Sequence, residues 1–216
     1  MQLEIEQKIS QEKEKIFTEI ENFLAINLEQ KKALESYVSM LLQENGKYNF
    51  IGKSTIDQIW NRHILDCAQL IKFVQNPQKK FADLGSGAAL PGMVLSILGL
   101  KEIHLVEKSF RKADFLRKIK NISPNRVFVH QAKLEELENI NFDCIMSRAL
   151  APLDKLLEYC QKFLKNDGYC LFLKGKNLPL EISQAKQKFS FEFELFPSLT
   201  SQESNIIRIN KISNLN

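Results

Sequence analysis

The chain has 216 residues, 44% of them hydrophobic, which is enough for one sizeable domain with its own core. Lys and Arg number 30 against 26 Asp and Glu, and the resulting net charge of +4 permits nucleic-acid binding without making the chain a polycation. The apolar runs are too short to span a membrane, and the first residues carry acids where a signal peptide has bases, so we expect a cytoplasmic protein. The four cysteines lack Cys-x-x-Cys or Cys–His spacing, which predicts no metal site.

Residues 1–76 are predicted to form a helical extension. Apolar residues recur at spacings of seven, four and three along the first helix, at Ile9, Ile16, Ile20 and Phe23. Asn27 and Gln30 have the spacing of a capping box for a second helix. Ser54 and Asp57 predict the start of a third helix, which we expect to end before Asn76.

Residues 77–216 are predicted to form an α/β core, because strands and helices alternate there. The predicted strands are Phe81–Leu84, Glu102–Val106, Arg126–His130, Phe142–Ser147, Gly168–Leu173, Phe191–Phe196 and Ile206–Lys211. The helices between them are predicted at about Leu90–Leu98, Ser109–Ile122, Pro152–Leu164 and Leu178–Phe189. We expect the extension and the core to form one compact unit.

The stretch from Phe81 to Gly92 reads as a buried strand, a glycine turn and the start of a helix. Gly85 and Gly87 let the backbone turn sharply and approach a ligand closely, and ligands of parallel sheets bind beyond the carboxyl ends of the strands. A dinucleotide site needs a third glycine where this chain has Leu90. The spacing Asp-x-Gly-x-Gly instead resembles motif I of the class I S-adenosylmethionine-dependent methyltransferases.

Five candidate residues lie at or just beyond strand ends near this turn. Glu107 can accept hydrogen bonds from both ribose hydroxyls of an adenosine ligand. Asp83 can anchor the amino acid part of a cofactor, or it can order the turn by accepting its amides. Leu134 and Glu135 can contact an adenine, although the residues alone favour a solvated helix start. Arg148 suits a carboxylate or a phosphate, or a salt bridge to a local acid.

The third helix carries Asn61-Arg62-His63-Ile64-Leu65-Asp66. Arg62 and Asp66 lie one turn apart, so they share a helix face and can pair with each other. His63 is a lone histidine, and such residues are more often structural than catalytic.

Basic residues recur in two groups, at Lys108, Arg111, Lys112, Arg117, Lys118 and Lys120, and at Lys174 and Lys176. We interpret most of the helical group as a solvated face. Lys108, Lys174 and Lys176 follow strand carboxyl ends, so we expect them near the site, where they can neutralise phosphates.

Four motifs occur in order, namely Asn61–Asp66, Asp83–Gly87 with Leu90-Pro91-Gly92, Ser147-Arg148-Ala149, and Leu173-Lys174-Gly175. In this order and spacing the chain resembles the bacterial small-subunit ribosomal RNA guanine-N7 methyltransferase family, RsmG or GidB. The likeness runs from about Asn49 to Lys176 and is weak in the first two helices and in the tail.

The resemblance implies a class I methyltransferase fold, which is a Rossmann-like, seven-stranded, mostly parallel sheet. It implies S-adenosylmethionine as methyl donor and a guanine in the 530 loop of 16S rRNA as acceptor. The cofactor contacts it implies are Gly85, Leu90, the backbone of Leu134 and Glu135, and Arg148, beside the candidates Asp83, Gly87 and Glu107. We assign to the reaction Arg148, Lys174 and His63, and to the RNA side Asn49, Arg62, Lys108 and Lys176.

Three positions depart from the family pattern, since Ala89 replaces a usual glycine, Lys133 a usual arginine and Cys67 a frequent serine, the last a minor change. The methyl of Ala89 would crowd the methionine end of the cofactor if this residue needs a positive φ.

The chemistry fits the candidate residues, because guanine N7 carries a free lone pair and needs no general base. Positive charge moves onto the ring during transfer, so a strongly basic wall directly against it would oppose the reaction. The alternatives are a ribosome-binding module with a disabled cofactor site, a nucleotide-dependent oxidoreductase, and methylation of another substrate. We expect a monomer that contacts the small ribosomal subunit and no membrane.

Overall fold

The computed structural model describes residues 2–138 and 140–215, with side chains from residue 7 onward. Helix α1 spans Gln2–Glu21 and helix α2 spans Leu28–Tyr48. The predicted capping box is confirmed, because the amide of Gln30 donates to Asn27 Oδ1 (2.8 Å) and the amide of Asn27 donates to Gln30 Oε1 (3.0 Å). Asn49 ends α2 in the left-handed conformation, with φ of 49°.

The predicted third helix is not one regular helix. It consists of a 3-10 helix over Lys53–Gln58, a π-helical turn over Trp60–Leu65, one α-helical turn over Asp66–Ala68 (α3), and a 3-10 helix over Gln69–Phe73. The Ser54 cap was wrong, since Gly52 holds the N-cap position without a side-chain cap bond. The hydroxyl of Thr55 donates instead to the carbonyl of Gly52, at 2.8 Å.

The core is the predicted seven-stranded sheet. Its strands are β1 (Lys80–Leu84), β2 (Glu102–Val106), β3 (Arg126–His130), β4 (Phe142–Arg148), β5 (Leu164–Lys174), β6 (Phe189–Pro197) and β7 (Asn205–Asn214). The helices between them are α4 (Gly92–Leu98), α5 (Phe110–Ile119), α6 (Leu153–Phe163) and α7 (Leu178–Ala185).

The order across the sheet is β3-β2-β1-β4-β5-β7-β6, and β7 runs in the opposite direction to the other six of these strands. Strand β1 pairs with β2 on one side and β4 on the other, so the strand order reverses beside it. A crevice opens at the carboxyl ends of the strands at such a reversal. This is where the glycine turn after β1 and Arg148 at the end of β4 meet.

The helical extension packs on the sheet through a shared core. Ile20, Leu34 and Leu95 belong to one cluster of buried residues that also contains Phe81 of β1. The buried hydroxyl of Tyr37 donates to the carbonyl of Ala88 at 2.7 Å, which ties α2 to the glycine turn. The boundary predicted after residue 76 lies in the connection to β1.

Within residues 2–138 and 140–215, no helix combines the length and apolar character that crossing a bilayer requires.

Candidate active site

The glycine turn is held tightly against the end of β2. Gly85 and Gly87 have φ of 69° and 55°, a region that L-residues with a side chain adopt only at a cost. The amides of Gly85 and Ser86 both donate to the carbonyl of Val106, at 2.9 and 3.0 Å. A Cβ at Gly85 would also stand 3.1 Å from Leu150 Cγ, so the turn requires glycine there.

Ala89 does take up a positive φ, of 70°. Its side chain is fully buried in the core cluster below the turn, and Ala89 is not among the residues that line the adjoining cavity. The methyl group that distinguishes it from glycine therefore points away from the cavity and leaves that space open. The cost of Ala89 falls on backbone strain in the turn.

Asp83 lies fully buried at the end of β1. Its Oδ2 accepts from the amide of Gly92 at 2.9 Å, whereas its Oδ1 is buried with no hydrogen-bond partner among the described residues. Burial, opposed by the hydrogen bond from the Gly92 amide and aided by the nearby charge of Glu107, raises the pKa of this carboxyl to about 7. A Cβ at Gly92 would stand 2.9 Å from Asp83 Oδ2, so Gly92 lets the helix start touch the carboxylate.

Glu107, at the end of β2, is also buried. Its Oε2 accepts from the amide of Gly87 at 3.0 Å, and its Oε1 accepts from the amide of Ser109 at 2.8 Å. Each carboxylate oxygen can accept more than one hydrogen bond. Glu107 therefore positions the glycine turn and retains acceptor capacity, although it does not itself line the cavity.

Two cavities open at the carboxyl end of the sheet. The first, here the loop cavity, has a volume of about 300 Å³ and is lined by Phe50, Gly52, Gly85, Gly87, Leu90 and Lys112, among others. The second, here the strand-end cavity, has a volume of about 420 Å³ and is lined by residues that include Arg62, Leu150, Lys174, Thr200, Ser201 and Ser204. Arg148 and Ala149 line both cavities, so the end of β4 separates them.

Arg148 is bound by the segment that carries the Asn61–Asp66 motif. Its Nε lies 3.2 Å from Asp66 Oδ2, its Nη1 donates to His63 Nδ1 at 3.0 Å, and its Nη2 donates to the carbonyl of Arg62 at 3.0 Å. The local salt bridge left open by the sequence is thus present, and its acid is Asp66. Asp66 pairs with Arg148 and not with Arg62, because residues 60–65 form a π-helical turn that alters the spacing of side chains.

His63 is buried and neutral. Burial, together with the positive charges of Arg148 and Arg62, lowers the pKa of its imidazole to about 3. Because Arg148 can only donate, Nδ1 is the acceptor and Nε2 carries the proton. That proton is donated to the Thr55 hydroxyl at 2.8 Å. Both ring nitrogens are therefore engaged, which makes His63 a residue that positions Arg148.

Lys174, at the end of β5, is neutralised by an acid of α7. Its Nζ lies 2.5 Å from Glu181 Oε2 and donates to the carbonyl of Ala151 at 2.9 Å. Sequence reasoning did not find Glu181 as this partner, because nothing local links the two residues.

The loop between β6 and β7 supplies residues that the sequence did not indicate. The Thr200 hydroxyl donates to Asp66 Oδ1 at 2.7 Å, and the amide of Leu199 donates to Gln69 Oε1 at 2.8 Å. These bonds hold the hydroxyl groups of Ser201 and Ser204 at the strand-end cavity. The residue types of this loop carry no signal, since serine and threonine are common in any turn.

The remaining predicted site residues lie outside both cavities or at their edges. Leu134 is buried in a 3-10 turn after β3 that spans Leu134–Glu136, and Glu135 Oε1 accepts from the Tyr159 hydroxyl at 2.6 Å. Neither residue lines the loop cavity, so their adenine contact stays a prediction. Of the RNA-side candidates, Arg62 lines the strand-end cavity, and those exposed elsewhere are Asn49, Lys108 and Lys176.

The residues present fit S-adenosylmethionine. Asp83 lines neither cavity, but its buried Oδ1 lies at the start of the glycine turn and lacks a hydrogen-bond donor, which an ammonium group would supply. The glycine turn offers backbone to a ligand without side chains in the way, and the loop cavity lies directly against it.

The family model described as rRNA small subunit methyltransferase G matches residues 30–207 of the chain. The chain belongs to this family. Among curated relatives, the ribosomal RNA small subunit methyltransferase G of Rhodospirillum rubrum is 37% identical over 187 residues, which is 87% of this chain and 93% of the relative. The protein of the same name from Rhodospirillum centenum is 35% identical and covers 91% of each chain.

Solved structures support the same fold for this family member. A ribosomal protein L11 methylase from Lactobacillus delbrueckii aligns with a TM-score of 0.55 at 16% identity, over 74% of this chain and 80% of that one. Pyrococcus horikoshii TYW2, solved in complex with MeSAdo, aligns with a TM-score of 0.52 at 13% identity, over 68% and 61% of the two chains. The predicted family and the predicted class I methyltransferase fold are both confirmed.

Proposed function

We propose that the chain transfers the methyl group of S-adenosylmethionine to N7 of a guanine in the 530 loop of 16S rRNA. The observation that carries the proposal is the pair of adjoining cavities on either side of Arg148 in a member of this family. One cavity lies against the glycine turn and suits the methyl donor. The other is walled by the ends of β4 and β5 and has room for a nucleotide base.

The donor is held by residues around the glycine turn. Asp83 Oδ1 would accept from the ammonium of the donor, and the turn from Gly85 to Gly87 would bring backbone against it. Glu107 fixes the turn through Gly87 and would accept from the ribose hydroxyls with its remaining lone pairs. S-Adenosylmethionine supplies a methyl group already activated on a sulfonium. The protein's task is then to align donor and acceptor, which contributes on the order of 7–11 kcal/mol in well-oriented systems.

The acceptor side needs no base, and most of its positive charge is paired. The N7 lone pair of guanine is free to react without prior deprotonation. Three cations line the strand-end cavity, and two of them have a carboxylate partner there, Asp66 for Arg148 and Glu181 for Lys174, while the third, Arg62, is exposed to solvent. The cavity wall is therefore not strongly positive, which suits a ring that gains positive charge during transfer.

The structure gives no support to the alternative of a binding module with a disabled cofactor site. That alternative rested on Ala89, whose methyl group lies in the core and does not line the loop cavity. In line with this acceptor, we propose that the protein acts in the cytoplasm on the small ribosomal subunit, and that it does so as a monomer.

Methyl transfer to isolated small subunits tests the function. Subunits purified from cells that lack the protein are incubated with it and with S-adenosylmethionine labelled in the methyl group. Digestion of the rRNA is expected to release label in 7-methylguanosine. Label in another nucleoside would contradict N7 as the acceptor. Binding of subunits without any transfer would restore the binding-module alternative.

A further inference from the structure

The mouth of the loop cavity continues into an exposed surface that combines aromatic and basic side chains. Phe110, the first residue of α5, is 67% exposed, and Tyr48 at the end of α2 is 41% exposed. The guanidinium of Arg111 lies over the Tyr48 ring, 5.9 Å from its centroid. We call Tyr48, Phe110 and Arg111, with the flanking Lys108 and Lys112, the aromatic-basic platform.

The platform rests on a rigid base beside the donor site. The ring of Phe50 packs on the buried ring of Phe115 from α5, with centroids 4.6 Å apart, and this contact joins the segment that follows α2 to α5. Phe50 and Lys112 also line the loop cavity. The platform is thus an extension of the cavity wall, within reach of whatever is bound there.

The positive charge of the platform is not balanced locally. Within the described residues, Lys108, Arg111 and Lys112 form no ion pair. Their neighbours Lys47 and Lys118 are paired, with Glu44 at 3.3 Å and with Asp114 at 2.9 Å. Unpaired cations beside an exposed aromatic ring suit a nucleic acid, which offers phosphates to the cations and bases that stack on the ring.

We propose that the aromatic-basic platform binds a single-stranded segment of rRNA next to the target guanine. Phe110 stacks on a base, and Arg111, held by Tyr48, contacts a phosphate. Stacking on an exposed aromatic and phosphate contact by nearby cations is the general mode of single-strand binding. The inference rests on the proposed function, and it replaces the interpretation of the α5 bases as a merely solvated face.

The test measures binding of a fluorescent single-stranded oligoribonucleotide of roughly 12 nucleotides by anisotropy. Phe110→Ala and Arg111→Ala are each expected to weaken binding about 5-fold or more. Arg111→Ala should also reduce the slope of log K against log salt by about 0.7, whereas Phe110→Ala should leave the slope unchanged. The matched control is Lys186→Ala, which removes a cation 5.1 Å from the Phe193 ring at the opposite edge of the sheet.

A second variant reports on stacking directly. The chain has one tryptophan, Trp60, which is buried, so Phe110→Trp introduces an exposed reporter. Its emission is expected to be quenched by the oligoribonucleotide, and its affinity should equal or exceed that of the wild type. A merely structural role for Phe110 predicts no quenching.

The proposal is overturned if both platform variants bind the RNA as the wild type does, or if the wild type itself does not bind. It is also overturned if the variants lose binding to ribosomal subunits but keep binding to RNA, since the partner would then be a ribosomal protein. Affinity for S-adenosylhomocysteine and methyl transfer by the wild type are measured in parallel. If RNA binding depends on the platform but the wild type transfers no methyl group, the inference about the platform holds and the proposed function is refuted.

Discussion

The unpartnered oxygen of Asp83 gives the sharpest prediction. Asp83→Asn keeps an oxygen for the Gly92 amide, and it places an NH₂ group where Oδ1 now lacks a partner. The substitution therefore removes a buried charge while leaving the turn intact. We expect the variant without ligand to be more stable than the wild type at pH 8, and to bind cofactor less well.

The magnitude follows from the pKa of Asp83, which burial raises from 3.8 to about 7 in the folded protein. Between these pH values the unfolded chain releases the proton and the folded chain keeps it. The free energy of unfolding of the wild type therefore falls as pH rises through this window. At about 1.4 kcal/mol per pH unit, the wild type loses on the order of 4 kcal/mol of its free energy of unfolding by pH 8. Asp83→Asn has no carboxyl to titrate at this position and does not lose this stability.

Urea unfolding at several pH values measures this difference. The stability of Asp83→Asn relative to the wild type should increase from pH 4 to pH 7 and then level off. A difference that does not change with pH would refute the reasoning, because it would mean that Asp83 is already ionised and solvated at pH 4.

Asp143 provides a matched control at the other end of the sheet. Although burial opposes ionisation, its pKa is lowered by hydrogen bonds from the Lys80 amide and from Lys165 Nζ. A carboxyl of this kind stabilises the fold above the unfolded pKa, and that stability is lost as pH falls. Asp143→Asn should therefore destabilise the protein at pH 8 and leave affinity for S-adenosylhomocysteine unchanged, whereas Asp83→Asn should lower that affinity.

The affinity of the wild type for S-adenosylhomocysteine should rise from pH 5.5 to pH 8 as Asp83 ionises. The affinity of Asp83→Asn for the same ligand should not change over this range.

Three further predictions concern the same crevice. Gly92→Ala should lower the free energy of unfolding by about 2 kcal/mol or more, because the added Cβ would meet buried Asp83. The control, Gly46→Ala on the open face of α2, should raise the free energy of unfolding by about 0.5 kcal/mol. Equal effects of the two substitutions in urea unfolding would contradict the packing described for Gly92. Glu107→Ala should weaken S-adenosylhomocysteine binding by roughly 1–3 kcal/mol in calorimetry, because it frees the Gly87 amide, and unchanged affinity would remove Glu107 from the site. Arg148→Lys should reduce the rate of methyl transfer by about 10-fold or more, since a lysine cannot bond to Asp66, His63 and the Arg62 carbonyl together. If the variant instead turns over as fast as the wild type, this hydrogen-bonded geometry is not needed.

The sequence predicted the elements that depend on local signals. The boundaries of β2 and β3 agree with prediction at both ends, because these strands are short and mostly apolar and polar residues flank them on both sides. The capping box of α2 was correct for the same reason, since its donors and acceptors are three residues apart. The glycine turn was predicted correctly because Gly85 and Gly87 are residues that can adopt the positive φ angles of a tight turn.

The parts that failed depend on contacts between distant segments. Residues 53–73 have the apolar spacing of one helix, but the segment is broken, and the amide of Trp60 donates to Glu12 Oε2, 48 residues away. The partners of Arg148 lie more than 80 residues earlier in the chain. No local pattern shows that Thr200 reaches Asp66. Composition likewise could not show that the methyl of Ala89 points into the core.

The central claim is tested most directly by mapping 7-methylguanosine in 16S rRNA from cells with and without the protein. The account predicts that a modified guanine in the 530 loop is present with the wild-type gene, is absent when the gene is deleted, and returns when a wild-type copy is restored. An Arg148→Lys copy should restore it poorly. If the same guanine carries the N7 methyl group in the deletion strain, the proposed function is wrong.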